Sequence, residues 1–244
     1  YGSVSGKKVD EDGNALGGAM IGLFRTDDGE FTKENALMTT TSAKDGSFSF
    51  ENIPCGTWYV REIEQPTGFV LDDTIYPVTI GTDGQVVEIE IVNEYGRGNI
   101  HLTKVDSEYP DNKLTGAIFE VYKDSNNNGK LDDSDELLGT LTEKEAGEYG
   151  MNDLFYGRYF VKETKAPDGF VLDTDVYEVV IDTDGKTYDV ENKAGVGFIN
   201  EVMRGNLKIV KTSSDGKVKG FAFRITGANG YDIILETDEN GEIF

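Results

Sequence analysis

Short alternating runs of apolar and polar residues dominate the chain. Ile100, Leu102 and Lys104 fall on one face, opposite Asn99, His101 and Thr103. Phe48 and Phe50 alternate with Ser47, Ser49 and Glu51, and Tyr177, Val179 and Ile181 keep the same spacing. A period of two is that of strands with one buried face. Asp-Gly or Asn-Gly pairs punctuate these runs at 12–13, 28–29, 45–46, 83–84, 184–185, 215–216 and 240–241. Hairpin turns need residues that accept positive φ, and these pairs supply them. No segment longer than a turn or two repeats at the helical period. The expected fold is all-β, built of immunoglobulin-like β-sandwich domains.

The chain also repeats itself, which sets the domain count. The segment from Gly2 to Asp10 resembles that from Gly98 to Asp106, and Gly205–Thr212 resembles both. Tyr59-Val-Arg-Glu62, followed by Pro66-Thr-Gly68-Phe69, matches Phe160-Val-Lys-Glu163, followed by Pro167-Asp-Gly169-Phe170. Val92-Asn93-Glu94 before Arg97-Gly98 matches Ile199-Asn200-Glu201 before Arg204-Gly205. The expected domains are 1–96, 97–203, and 204–244 as the N-terminal half of a third. Such short linkers restrict bending and favour an elongated rod of tandem domains. The third segment is too short to bury a sandwich core alone, so the protein is expected to continue past Phe244.

Composition removes several functions. The net charge is −23, which argues against nucleic acid and anionic membrane surfaces, since both need Lys and Arg to meet negative charge. The acidic surplus reads as a solvated surface. No apolar run is long enough to span a bilayer. A lone cysteine, Cys55, excludes an internal disulfide; its Ile-Pro-Cys-Gly-Thr setting suggests a packed thiol. A lone histidine, His101, excludes a His-based catalytic pair and reads as a solvent-facing strand residue. Trp58, Tyr59, Phe155, Tyr156, Tyr159 and Phe160 read as core and strand aromatics.

Three positions recur in both complete units: a lysine ending the first strand (Lys8, Lys104), a glutamate in an apolar strand (Glu62, Glu163) and an asparagine in the last strand (Asn93, Asn200). Lys104 shares the parity of Ile100 and Leu102, so it points into the core. An unpaired buried ammonium is very costly. Burial lowers a lysine pKa, to about 5–6 in extreme cases, and raises a glutamate pKa to about 8–9. A buried Lys–Glu–Asn cluster therefore favours a neutral amine beside a protonated acid. The amine can attack the asparagine carbonyl carbon, the acid can polarise that carbonyl, and ammonia leaves. In the first unit Gly6 stands where Leu102 stands in the second, and Lys7 neighbours Lys8. A slip of one residue would make Lys7 the inward lysine.

The ordered set of first-strand lysine, Glu before Pro-x-Gly-Phe, and terminal asparagine resembles the collagen-adhesin B-type (Cna-B, SpaA-like) domains of Gram-positive adhesins and pilins. The resemblance implies a reverse immunoglobulin-like sandwich. It also implies spontaneous Lys8–Asn93 and Lys104–Asn200 isopeptide bonds, assisted by Glu62 and Glu163. Lys211 would open a third set. Such a bond removes loop-closure entropy from the unfolded chain, worth roughly 4–5 kcal/mol, and cannot be reduced.

A second signal lies at 124–136. Asp124, Asn126, Asn128, Asp132 and Asp135 take the oxygen-ligand positions of an EF-hand-type loop. Gly129 occupies the turn, Lys130 offers its carbonyl, and Glu136 follows where the usual glutamate is replaced by Asp135. This predicts a calcium ion of modest affinity, with a polar hairpin as the alternative. Tyr109-Pro-Asp-Asn112 resembles a pilin motif but carries Asp111 where that motif has lysine, and reads as a loop.

The expected function is structural: a stalk or pilin segment, anchored in a Gram-positive cell wall and extracellular, that performs no turnover chemistry. Its expected partners are neighbouring domains of the same protein, with sortase and host matrix or glycan as further candidates. The alternatives are an adhesive module that grips host matrix or glycan itself, and an accessory β-domain of a secreted enzyme.

Overall fold

The computed structural model of the chain describes residues 1–227 and 230–244. These form two compact bodies, Tyr1–Glu201 and Val202–Phe244. The expected all-β character holds throughout the described residues, and none of their segments is a helix long and apolar enough to cross a membrane.

The first body contains two sandwiches. In the first, β1 (Gly2–Asp10) is the middle strand of a sheet, antiparallel to β4 (Ser47–Ile53) and parallel to β7 (Val86–Asn93). A second sheet runs β3 (Met38–Thr41), β2 (Met20–Phe24), β5 (Gly56–Glu64), β6 (Tyr76–Ile80). The alternating runs turn Val4, Phe50 and Ile91 inward from one sheet and Ile21, Leu23 and Val60 from the other.

The second sandwich repeats this plan. The strand β8 (Arg97–Asp106) pairs with β12 (Glu148–Phe155), which also pairs with β11 (Thr142–Glu145). The other sheet runs β10 (Glu136–Thr140), β9 (Ile118–Lys123), β13 (Gly157–Lys165), β14 (Val176–Ile181). The last strand is split into β15 (Thr187–Asp189) and β16 (Phe198–Asn200), both parallel to β8. The excursion between them is tied down by Asn192, which donates to Ile199 O and accepts from Ile199 N–H, at 2.8 and 2.7 Å.

The glycines of the seven Asp-Gly and Asn-Gly pairs named above have φ between 69° and 98°, as hairpin turns require. One of them, Gly46, has a second duty: a Cβ there would lie 2.3 Å from Lys8 O. The glycine lets the β4 turn close on the first strand, where Gly46 O accepts Lys8 N–H at 2.7 Å.

Three sequence expectations need correction or sharpening. Cys55 is exposed, not packed, because the 54–57 turn between β4 and β5 stands wholly in solvent. Phe155 is 46% exposed and is not a core residue. It packs edge-on against Tyr95 at 5.3 Å, under the Arg97 guanidinium, where the first sandwich passes into the second. His101 faces outward but is held on both sides. Its Nδ1 lies 2.6 Å from Asp189 and its Nε2 2.8 Å from Glu148, so the ring links the strands flanking β8.

In the second body, β17 (Ile209–Val210) pairs with β20 (Glu242–Ile243), and β18 (Ala222–Thr226) with β19 (Asp232–Glu236). Lys211 N–H donates to Gly241 O at 2.7 Å, the bond that Lys8 makes to Gly46 and Lys104 to Gly147.

Candidate functional site

Parity along the first strand decides which lysine is buried. In β1, Val4, Gly6 and Lys8 face inward while Lys7 is exposed. The slip that would bury Lys7 does not occur, because Gly6 keeps the inward position and Phe48 fills the room its missing side chain leaves. A Cβ on Gly6 would sit 1.9 Å from the Phe48 ring. In the second sandwich the equivalent cross-strand pair is Leu102 with Tyr149. The volume is shared differently, but the lysine two residues on points the same way.

The parallel pairing of first and last strands brings the asparagine to the lysine. Asp10 pairs with Asn93, and Asp106 with Asn200, so each asparagine lies two residues beyond the strand partner of its lysine. The glutamate enters from the facing sheet, on β5 or β13. All six side chains are out of solvent: Lys8, Lys104 and Glu163 are 0% exposed, Glu62 and Asn93 1%, and Asn200 3%.

The two clusters share one geometry. Lys8 Nζ is 3.7 Å from Glu62 Oε1, and Lys104 Nζ is 3.8 Å from Glu163 Oε1. Asn93 Nδ2 donates to Glu62 Oε2 at 2.7 Å and to Val70 O at 2.5 Å. Asn200 Nδ2 donates to Glu163 Oε2 at 2.9 Å and to Val171 O at 2.8 Å. The amide nitrogen is thus held by the glutamate, while its Oδ1 has no hydrogen-bond partner in either domain. Glu62 Oε1, Glu163 Oε1 and Lys8 Nζ are also buried without one. Lys104 differs, donating to Phe198 O at 3.1 Å with its ammonium 4.9 Å from the Phe198 ring centre.

Burial dominates the protonation of Lys8, Glu62 and Lys104. It lowers the Lys8 pKa against the opposing charges of Glu62 and Asp72, and lowers Lys104 to about 8 against Glu163 and Asp173. Burial also raises Glu62, although the Asn93 and Asp72 hydrogen bonds and the Lys8 charge oppose it. In the first cluster both directions favour neutral amine and neutral acid over a buried ion pair, and in the second the lysine's direction favours the neutral amine.

Two groups next to the clusters escaped the sequence reading. Asp72 N–H donates to Glu62 Oε2, and Asp173 N–H to Glu163 Oε2, each at 2.8 Å. Tyr76 and Tyr177 donate their hydroxyls to these aspartates at 2.7 Å. The signal was present as Leu71-Asp72 with Tyr76 and Leu172-Asp173 with Tyr177, at one spacing in both repeats. Asn192, in a Val-Glu-Asn context, looks like a rival terminal asparagine. It donates to Asp173 Oδ2 at 2.8 Å, and it is Asn200 that meets Glu163.

The 124–136 loop joins β9 to β10, with Lys123 and Glu136 paired at its base. Asp124 accepts from the Asn128 and Gly129 N–H groups at 3.1 and 3.0 Å, with Arg158 Nη1 3.6 Å away. The amides of Asn126 and Asn128 donate to Asp132 Oδ2 at 3.2 and 2.6 Å, and Asn128 Oδ1 accepts Lys130 N–H at 2.8 Å. Asp135 accepts from Ser125 and Asp132 N–H at 3.0 and 2.9 Å. As arranged, the amide N–H groups of Asn126 and Asn128 turn to Asp132 and their oxygens accept backbone N–H groups within the loop. Among the described residues no group of three or more His, Cys, Asp or Glu is disposed to hold a metal. A calcium ion would have to turn both amides.

The family of SpaA prealbumin-like fold domains matches residues 2–95 and 98–194, more than half of the chain. Serine-aspartate repeat-containing protein D of Staphylococcus aureus strain MW2 is 26% identical over 273 aligned residues, 96% of this chain and 19% of that protein. The trypsin-resistant surface T6 protein of Streptococcus pyogenes serotype M6 is 26% identical over 170 residues, 57% of this chain and 29% of its own. The chain therefore spans about a fifth to a third of the curated relatives it matches. Among solved structures, the Bacillus anthracis TIE protein aligns over 99% of this chain and 42% of its own, at 25% identity and a TM-score of 0.75. None of these names is an enzyme's.

Proposed function

Because the chain belongs to the SpaA prealbumin-like fold family, we propose that it is a stalk segment of a cell-wall-anchored Gram-positive surface protein. In this reading Lys8–Asn93 and Lys104–Asn200 isopeptide bonds lock its two complete domains. The observation that carries the reading is the duplicated cluster. Two differently packed cores each bury a lysine, a glutamate and an asparagine in one arrangement, leaving polar atoms without partners. Leaving such atoms unpaired costs about 1–3 kcal/mol each, and covalent closure gives that arrangement a use.

The reaction balances within the cluster. The neutral lysine Nζ attacks the asparagine Cγ and forms the new C–N bond. The glutamate Oε1, which has no hydrogen-bond partner, would carry the proton that supports the developing oxyanion at Oδ1, while Oε2 keeps hold of Nδ2. A proton passes from Nζ through the glutamate to Nδ2, which Glu62 Oε2 or Glu163 Oε2 already holds at 2.7 or 2.9 Å. The Cγ–Nδ2 bond then breaks and ammonia leaves. The glutamate ends as it began, so the event occurs once per domain.

The product would tie the first strand of each sandwich to the last, beside the point where the chain enters the next domain. Tension would then pass along the first strand and through the amide, bypassing residues 9–92 and 105–199. The partners in this reading are neighbouring domains of the same protein, with sortase acting on the parent chain. Pulling the chain from its ends tests it. The wild type should show no extension step from residues 9–92 or 105–199, and a K8A/K104A double variant should show both. Full-length steps in the wild type would refute the stalk reading.

The calcium expectation remains a smaller proposal. The 124–136 loop would take the ion once the Asn126 and Asn128 amides turn, exchanging their bonds to Asp132 for carbonyl oxygens.

A further inference from the structure

Behind each glutamate stands an aspartate whose backbone N–H, turn bond and tyrosine partner recur in both domains; only Asp173 also has Asn192. The Asp72 and Asp173 N–H groups hold Glu62 and Glu163 by the oxygen that also receives the asparagine amide. Their carboxylates are fixed in turn. Asp72 Oδ1 accepts Thr74 N–H at 3.0 Å and Asp173 Oδ1 accepts Asp175 N–H at 2.9 Å. The second oxygens take the Tyr76 and Tyr177 hydroxyls. The two bonds fix where each carboxylate points, and the effect of a charge on a reactive pair depends on that placement.

Burial would raise the Asp173 pKa. The hydrogen bonds from Asn192, Asp175 and Tyr177, together with the Lys104 charge, outweigh it and hold the group below its usual range. Tyr76 and Tyr177 are raised by burial and by their aspartates, so both hydroxyls stay protonated as donors. The charged or titratable groups bearing on each lysine are therefore the glutamate and this aspartate, with the tyrosine neutral behind it.

We propose that Asp72 and Asp173 are positioning residues of the crosslinking site. The N–H of each fixes its glutamate, and its tyrosine-clamped carboxylate retains the one proton that the lysine–glutamate pair must share in order to react. The proposal rests on the isopeptide reading above. The reactive state is amine plus carboxylic acid. One proton more gives an inert ammonium, and one proton fewer leaves the glutamate unable to assist. A fixed negative charge makes both gains and losses of protons occur at higher pH, so it sets where on the pH scale the reaction runs.

The test uses the full chain recovered unfolded in urea from inclusion bodies and refolded across a range of pH. Ammonia loss is followed by intact mass, and the Lys104–Asn200 bond is located by peptide mapping. D173N removes the charge and keeps one acceptor oxygen, for either the Tyr177 hydroxyl or the Asp175 N–H, which use different oxygens of Asp173. Both limbs of its pH–rate profile should move to lower pH, by roughly one unit. Y177F, which keeps the charge, should not move acidward. A D173N profile reduced in height but unmoved would overturn the proposal, as would Y177F shifting like D173N. If D173N does not refold, D72N read at Lys8–Asn93 makes the same test. A wild-type chain that loses no ammonia at any pH would overturn the isopeptide reading instead.

Discussion

The two sandwiches reach one cluster by different packing. In the first, Gly6 yields its volume to Phe48 and the last strand runs unbroken beside the first. In the second, Leu102 packs against Tyr149, and the last strand is cut by an excursion that Asn192 ties down. Lys8 Nζ has no hydrogen-bond partner, whereas Lys104 has the Phe198 carbonyl and ring. Yet the Lys–Glu separations differ by only 0.1 Å, from 3.7 to 3.8 Å. Strand parity and parallel pairing fix the cluster; the core around it can vary.

The largest expected effect separates the domains covalently. N200A should abolish ammonia loss in the second domain and leave the first intact, and N93A the reverse. Each should lower unfolding free energy by roughly 4–5 kcal/mol, the loop-closure value for about 100 residues, read by urea unfolding against wild type. Equal losses would mean that the two cores support their bonds alike.

Next is the glycine that distinguishes the cores. Gly6→Leu brings a side chain into the Phe48 ring and should cost about 1–3 kcal/mol by overpacking, measured by the shift in urea midpoint. A neutral outcome would mean that Phe48 moves freely and that the first core is looser than the Gly6–Phe48 contact implies.

A pH effect should appear only where the amine survives. In N200A, folded Lys104 gives up its proton at about 8, while the unfolded lysine keeps it to about 10.4. Between these values the unfolded state binds more protons, so stability should rise with pH. Wild type with the amide formed should lack this rise, and thermal melts of both across that window decide it.

Smaller still is Asn192→Ala. It removes the ties to Ile199 and Asp173 and should cost about 1 kcal/mol, without stopping ammonia loss at Asn200. Loss of the crosslink would make Asn192 part of the reacting group. Smallest is calcium. Under the calcium proposal, millimolar ion should raise the Tm of the wild type and not of D132N; no shift in the wild type would remove calcium from the account.

Much of this was legible in the sequence because the chain repeats. Lys104 could be turned inward from Ile100 and Leu102 alone, and Glu163 and Asn200 followed by matching Glu62 and Asn93. Lys8 was harder, since Gly6 erased the apolar mark that sets parity; only the Phe48 ring restores it. Asp72 with Tyr76, and Asp173 with Tyr177, lay at matching positions but resembled loop residues, because their contact with the glutamate is a backbone N–H that no side-chain pattern reveals. Cys55 is misplaced, and Phe155 left undivided between core and strand surface, for a related reason. Apolar character does not tell a core position from a turn, or from the joint where Tyr95 and Arg97 meet the next domain.

The central claim is covalent, and intact mass of the folded full chain measures it most directly. The account predicts a deficit of two ammonia molecules from the sequence mass, with peptides joined at Lys8–Asn93 and Lys104–Asn200. The unaltered sequence mass would contradict it.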